Sequence, residues 1–110
     1  MNHLPPRRGD IITVDLNPVR GHEQSGLRPA LIISGDNFNA RTGLVIICPI
    51  ASRIKDGPFE IPLQAGKTIG RVLANQIRTI DFRERRAVVC DRADEFTVSE
   101  TLRKLKLIID

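Results

Sequence analysis

The chain has 110 residues, 41% of them hydrophobic and 27% charged, which is enough for one ordinary globular core and leaves none for a second, so a single domain over residues 1–110 is expected. No apolar stretch approaches transmembrane length and no signal-like apolar region follows Met1–Arg8, so neither membrane insertion nor secretion is expected. The net charge is +4, with thirteen arginines against four lysines, a bias that suits bidentate phosphate contacts and base stacking and so points to a nucleic-acid partner, although a solvated basic surface carries the same charge.

Ile11–Leu16 is a β-branched run closed by Asn17-Pro18 and reads as a first strand ending in a turn. Pro29–Ser34 reads as a second strand, with the proline at its start, where a missing N–H does least harm. Gly35–Arg41 carries Asp36, Asn37 and Asn39 and reads as a turn or a single helical turn that tucks Phe38 toward the core. Gly43–Ile50 is an unbroken apolar run of central-strand length.

Asp56-Gly57-Pro58 punctuates the chain before Phe59–Leu63, which alternates as a half-exposed strand does, and Gly66 and Gly70 bracket a further turn. Arg71–Ile80 supplies one long or two short strands, and Arg86–Cys90 another. Close turn signals and the lack of helix-length crossovers make this an antiparallel small barrel, not a parallel α/β sheet. At the end the period changes. Thr97-x-x-Glu100 has the form of a capping box, and Val98, Leu102, Leu105 and Ile109 recur at helical spacing, predicting an amphipathic helix across the barrel.

Cys48 and Cys90 each end an apolar run and read as buried free thiols of a cytoplasmic protein; two thiols are too few for a metal site. The four aromatics, Phe38, Phe59, Phe82 and Phe96, are assigned to core packing. Arg83, Arg85 and Arg86 read as a solvated turn that adds phosphate contacts if it borders a groove.

Between the first two strands lies the segment richest in chemistry, Gly21-His22-Glu23-Gln24-Ser25-Gly26-Leu27-Arg28-Pro29. It sets an imidazole, a carboxylate, an amide and a guanidinium on one connection, with Arg28 where a stiff strand can fix its fork.

Arg8-Gly9-Asp10-Ile11, Asp15-Leu16-Asn17-Pro18, Gly21–Gln24, Arg28-Pro29-Ala30, Phe38-Asn39, Cys48-Pro49-Ile50 and Asn75–Asp81 together resemble the MazF/PemK family of toxins, in order and over nearly the whole chain. The resemblance implies a mainly β fold, a small antiparallel SH3-like or CcdB-like barrel with a C-terminal α-helix. It also implies a symmetric homodimer and an endoribonuclease, independent of metal and of any cofactor, that cuts single-stranded messenger RNA at short sequences. A cognate antitoxin whose disordered tail covers the groove is implied as well; DNA would be met only through the antitoxin complex.

RNA cleavage without a metal requires the 2′-OH to attack the adjacent phosphorus, with a proton removed, the equatorial oxygens stabilised and the leaving oxygen protonated. Arg28 aligns with the family's catalytic arginine and suits the second task. Glu23 can take the proton if its surroundings raise its pKa; His22, which matches a histidine in part of the family, can do so without a shift. Gln24, Ser52, Arg53, Asn75, Gln76 and Arg78 are assigned to RNA binding. The chain departs from its relatives twice. Ala51 stands where many have a threonine whose hydroxyl holds the scissile phosphate, and Ser52 can replace it only at a bulge or strand end, because neighbouring strand residues face opposite ways. Asn75 stands where some have a proton-transferring aspartate, and an amide cannot do that work. The departures keep two other functions open: a gyrase-poisoning, CcdB-like toxin acting through its last helix, and a weakened member that only binds RNA or antitoxin.

Overall fold

A computed structural model describes residues 4–16, 26–52 and 57–110. The elements are β1 (Asp10–Asp15), β2 (Leu27–Ile32), α1 (Asp36–Thr42), β3 (Leu44–Ala51), β4 (Glu60–Ala65), β5 (Thr68–Leu73), a 3-10 turn (Ala74–Gln76), β6 (Arg78–Asp81), β7 (Val88–Arg92) and α2 (Glu95–Ile109). The strands form one antiparallel sheet in the order β4-β5-β3-β2-β1-β7, with β6 joining β3 alongside β5. It curls into a half-barrel, with α2 packed against β4 and the 3-10 turn. Among the described residues no helix is long and apolar enough to cross a membrane.

The unbroken apolar runs have a simple cause: the central strands are buried on both faces. Neighbours in sequence enter different cores, Ile11, Leu31 and Cys48 on the outer face, Ile12, Ile32 and Ile47 on the inner. The outer core is closed by Ile61, Leu63 and Val72 of the β4–β5 hairpin and by Leu105 of α2. The inner core is closed by Ile80, Ala87 and the half-buried Phe82, as the chain from β6 to β7 folds back over the curl. Each such side chain contributes about 1.5–3 kcal/mol when fully buried.

The strand pairing explains the prolines. β2 begins two residues before Pro29, because its ladder with β1 runs on to Asp15↔Leu27. β3 reaches β2 only from Ala30 onward, so Pro29 stands where β2 has a neighbour on one side alone. The Arg71–Ile80 stretch is two strands, split by the 3-10 turn that carries Asn75 and Gln76.

Several expectations change. Gly70 lies inside β5, and the turn is made at Gly66 (φ +59°). On α1 the residue that turns inward is Asn39, not the exposed Phe38. Asn39 Nδ2 donates to the carbonyls of Pro6 (2.9 Å) and Ser34 (3.2 Å), its Oδ1 accepts from the Ser34 hydroxyl, and Ser34 Oγ accepts from the Ile46 N–H at 2.9 Å. A polar side chain that satisfies two otherwise orphaned carbonyls outcompetes a phenyl ring here. Phe59 and Phe82 are half-buried against the two cores, but Phe96 is 72% exposed. It sits in the first turn of α2, off the Thr97–Thr101–Leu105 face that the helix buries; Ile109, four residues beyond Leu105, continues that face but is exposed as the last residue of the helix.

The cap of α2 also falls earlier than the motif suggests. Asp94, three residues before Thr97, accepts the Thr97 N–H at 2.8 Å, and hydrogen bonds from Thr97, its side chain first and its backbone second, hold the Asp94 carboxyl below its usual range. Thr97 is therefore buried in the first turn, and its carbonyl accepts the buried Thr101 hydroxyl at 2.8 Å.

Cys48 is buried in the outer core, which pushes its thiol up to about 12; Cys90 is exposed on β7, an edge strand with no neighbour beyond β1 among the described residues. A thiol reagent at pH 8 is expected to modify Cys90 in the native protein and Cys48 only after denaturant is added, read as the colour released before and after unfolding.

The β6–β7 turn holds the only described non-glycine residue with positive φ, Arg86 at +53°. Its neighbours are fixed by Arg85 N–H to Asp81 O (3.1 Å), Arg86 N–H to Arg83 O (2.9 Å) and Ala87 N–H to Phe82 O (3.1 Å). Arg86→Gly is expected to raise stability by about 0.5–1 kcal/mol, seen as a higher urea midpoint, because relief of the left-handed strain exceeds the added chain entropy.

Candidate active site

Strand alternation sets the site. On β2 the inner-core residues are Ala30 and Ile32, and the residue of the same parity before them is Arg28, paired with the inner-core residue Val14 of β1. On β3 the inner row Val45, Ile47 continues to Pro49 and Ala51, and on β6 Ile80 shares its parity with Arg78, which pairs with Ile47. The β2 and β6 rows are apolar within the curl and end in a guanidinium, while the β3 row between them stays apolar to its end at Ala51. The result is a cleft of about 510 Å3 at the mouth of the half-barrel, floored by Pro49–Ser52, with Arg28 on one side and Gln76 and Arg78 on the other.

Arg28 is exposed, and among the described residues no hydrogen bond or ion pair engages its guanidinium. Arg78 Nη1 donates to the Leu16 carbonyl at 3.1 Å, which uses one nitrogen of the fork. No described residue lining the cleft is acidic, so the field inside favours an anion. The remaining walls are aliphatic: Leu16, Leu27, and Ile69 and Leu73 of β5, with Leu27 and Ile69 60% and 65% exposed. A second hollow of about 570 Å3, between α1 and Asp81–Arg83, is bordered by Arg83 but contains none of the residues assigned to catalysis or RNA binding.

The structure thus gathers Arg28, Ser52, Gln76 and Arg78 into one cleft. Asn75 is exposed on the 3-10 turn and does not line it. His22, Glu23, Gln24 and Arg53 lie outside the described residues. β3 ends at Ala51, so Ser52 stands just past the strand, freed from the alternation that would turn it away, and both residues line the cleft. The aliphatic walls were missed by a search for polar chemistry. Their signal is the alternation of Ile69, Arg71 and Leu73, all three of which share the parity of Ala51 through the Ala51↔Arg71 pair. Among the described residues no group of three or more His, Cys, Asp or Glu is placed to hold a metal ion.

Residues 7–109 match the family described as PemK-like, MazF-like toxin of type II toxin-antitoxin system. The chain belongs to this family. It is 39% identical over 82 residues to the endoribonuclease toxin MazF of Escherichia coli (strain K12), spanning 74% of each chain. Over 109 residues it is 36% identical to the endoribonuclease toxin ChpB of the same strain, covering 94% of this chain and 93% of that one. A chain of the MazE-MazF crystal structure (Form-II) from Deinococcus radiodurans is similar in fold, with a TM-score of 0.89 at 38% identity over 98% and 97% of the two chains.

The cleft floor depends on a glycine. A Cβ on Gly70 would lie against the Ala51 carbonyl oxygen far inside any real contact distance, and against Ile50 Cγ2 at 3.0 Å. Backbone cannot swing away as a side-chain tip can. Gly70→Ala is therefore expected to cost about 1–3 kcal/mol, measured by urea unfolding, and to shift the amide resonances of Ala51 and Ser52.

Proposed function

We propose that the cleft at the mouth of the half-barrel is where this chain, an endoribonuclease toxin of a type II toxin–antitoxin system, binds single-stranded RNA and cuts it at short sequences without a metal ion. The observation that carries the reading is a lone exposed guanidinium, Arg28, held by a paired strand beside a second cation, Arg78, in a nucleotide-sized hollow with no acidic lining among the described residues. A phosphodiester is the ligand that such a hollow suits: its anion meets the cations and its base and ribose meet the aliphatic walls.

In this mechanism the ribose 2′-OH attacks the neighbouring phosphorus in line, leaving a cyclic phosphate and a free 5′-OH. Arg28 stabilises the equatorial oxygens, and its bond strengthens as charge builds on them. Ser52 supplies the hydroxyl that Ala51 lacks. Glu23 and His22, on the segment joining β1 to β2, take the 2′-OH proton and give one to the leaving 5′-oxygen as the P–O5′ bond breaks; Leu16 and Leu27, at the two sides of that segment, both line the cleft. Gln24, Gln76 and Arg53 orient the strand of RNA, and Asn75, outside the cleft, acts at most on its flanks. The protein works as a homodimer in the cytoplasm, is neutralised by a cognate antitoxin, and meets DNA only within that complex.

Purified protein incubated with mixed RNA in EDTA is expected to yield discrete fragments with mappable ends. Arg28→Ala should slow cleavage by about 10²–10³ or more, as removal of a transition-state donor does. RNA left intact by the native protein would refute the reading.

A further inference from the structure

The end of the β1–β2 ladder is held from outside by two guanidiniums. Arg78 Nη1 donates to the Leu16 carbonyl at 3.1 Å, and Arg85 Nη1 donates to the Asp15 carbonyl at 3.0 Å. Asp15 is the last residue of β1 and pairs with Leu27, and Val14 before it pairs with Arg28. The bond from Arg85 therefore grips the backbone one ladder position from the exposed guanidinium. Arg85 itself does not line the cleft.

The last pair of a ladder is its least protected, and among the described residues Asp15↔Leu27 is the last of this one. Here that pair adjoins the residue whose aim the chemistry needs. The arm that reaches it comes from a rigid base. The turn carrying Arg85 is closed by Glu84 N–H to Asp81 Oδ1 (2.9 Å), Arg85 N–H to Asp81 O (3.1 Å) and Ala87 N–H to Phe82 O (3.1 Å), and Phe82 packs against the inner core. Arg85 is half-buried, unlike its exposed neighbours Glu84 and Arg86.

We propose that Arg85 is a positioning residue for RNA cleavage: by holding the Asp15 carbonyl it keeps the β1–β2 end from fraying and so keeps Arg28 aimed into the cleft. The proposal rests on the reading of that cleft as the cleavage site. It gives Arg85 a signature different from that of a phosphate contact. A phosphate contact acts on binding and on its salt dependence, whereas a support of Arg28 acts on the rate of the bound complex.

The test compares native protein, Arg85→Met, Arg85→Gln and Arg85→Lys on one RNA oligonucleotide in EDTA at several salt concentrations, with amide exchange measured at Leu27 and Arg28. Met has no donor, and the Gln amide stops short of the Asp15 carbonyl, so either variant carries the test should the other fail to fold. Loss of alignment is expected to lower kcat roughly tenfold or more while KM stays within about twofold and the salt exponent is unchanged. Exchange at Leu27 and Arg28 should quicken in the same variants. Arg85→Lys, which keeps a donor, should recover most of the rate and the slow exchange. An unchanged kcat and exchange would overturn the proposal, as would a raised KM with a salt exponent smaller by ~0.7, the mark of a direct phosphate contact. RNA left uncut by the native protein in the parallel reaction would instead bring down the cleavage reading, and the positioning role with it.

Discussion

Everything at the candidate site depends on a sheet that is covered on both faces. Because β1, β2 and β3 bury alternate side chains in two cores, their backbones are held from two sides and their parity cannot slip. A slip of one residue on β2 would send Arg28 to the other face and drive Ala30 and Ile32 into the wrong core. The same burial that stabilises the fold thus fixes the aim of the guanidinium. Rigidity is inherited from the core and delivered where the apolar rows stop, which preorganises the charge placed there.

The opposite side of the cleft depends on a close approach instead. β5 meets the end of β3 at Ile50↔Val72 and Ala51↔Arg71, and Gly70 lets the next stretch of β5 lie against the Ala51 carbonyl. Any side chain there would lever the hairpin away from the floor and carry Ile69 and Leu73 with it. The far end of that hairpin is tied down as well: the Thr68 hydroxyl donates to Asp91 of β7 at 2.6 Å, beside the left-handed Gly66. The cleft therefore joins one wall fixed by core burial to another fixed by backbone contact.

How much of this could be read from the sequence follows from range. Strands with β-branched runs, the C-terminal helix and the antiparallel connectivity are written in local pattern, and they are present. So is the grouping of Arg28 with Ser52, Gln76 and Arg78, because ordered motif blocks carry spatial information that no single residue does. What failed depended on partners distant in sequence. Asn39 is buried because Pro6, thirty-three positions away, offers it a carbonyl. Cys90 is exposed because β7 happens to be an edge strand. Asp94 displaces the expected cap because the chain before it is pinned by Ala93 N–H to Gly9 O at 2.8 Å. Local chemistry proposes such contacts; only topology decides between them.

The same lesson revises the meaning of the charge. Thirteen arginines suggest an extended electrostatic footprint for RNA. Many of them are already committed to the protein's own oxygens. Arg8 Nε donates to the Ile33 carbonyl at 2.8 Å, Arg92 pairs with Asp10 at 2.7 Å, Arg7 lies 3.7 Å from Asp36, Arg103 pairs with Glu100, and Arg78 and Arg85 hold the end of β1. A guanidinium is suited to such work because its planar fork can satisfy a carbonyl without losing its charge. The arginine count therefore overstates the number of phosphates that this chain can neutralise. Among the described residues, the exposed cation that faces the cleft with no partner is Arg28.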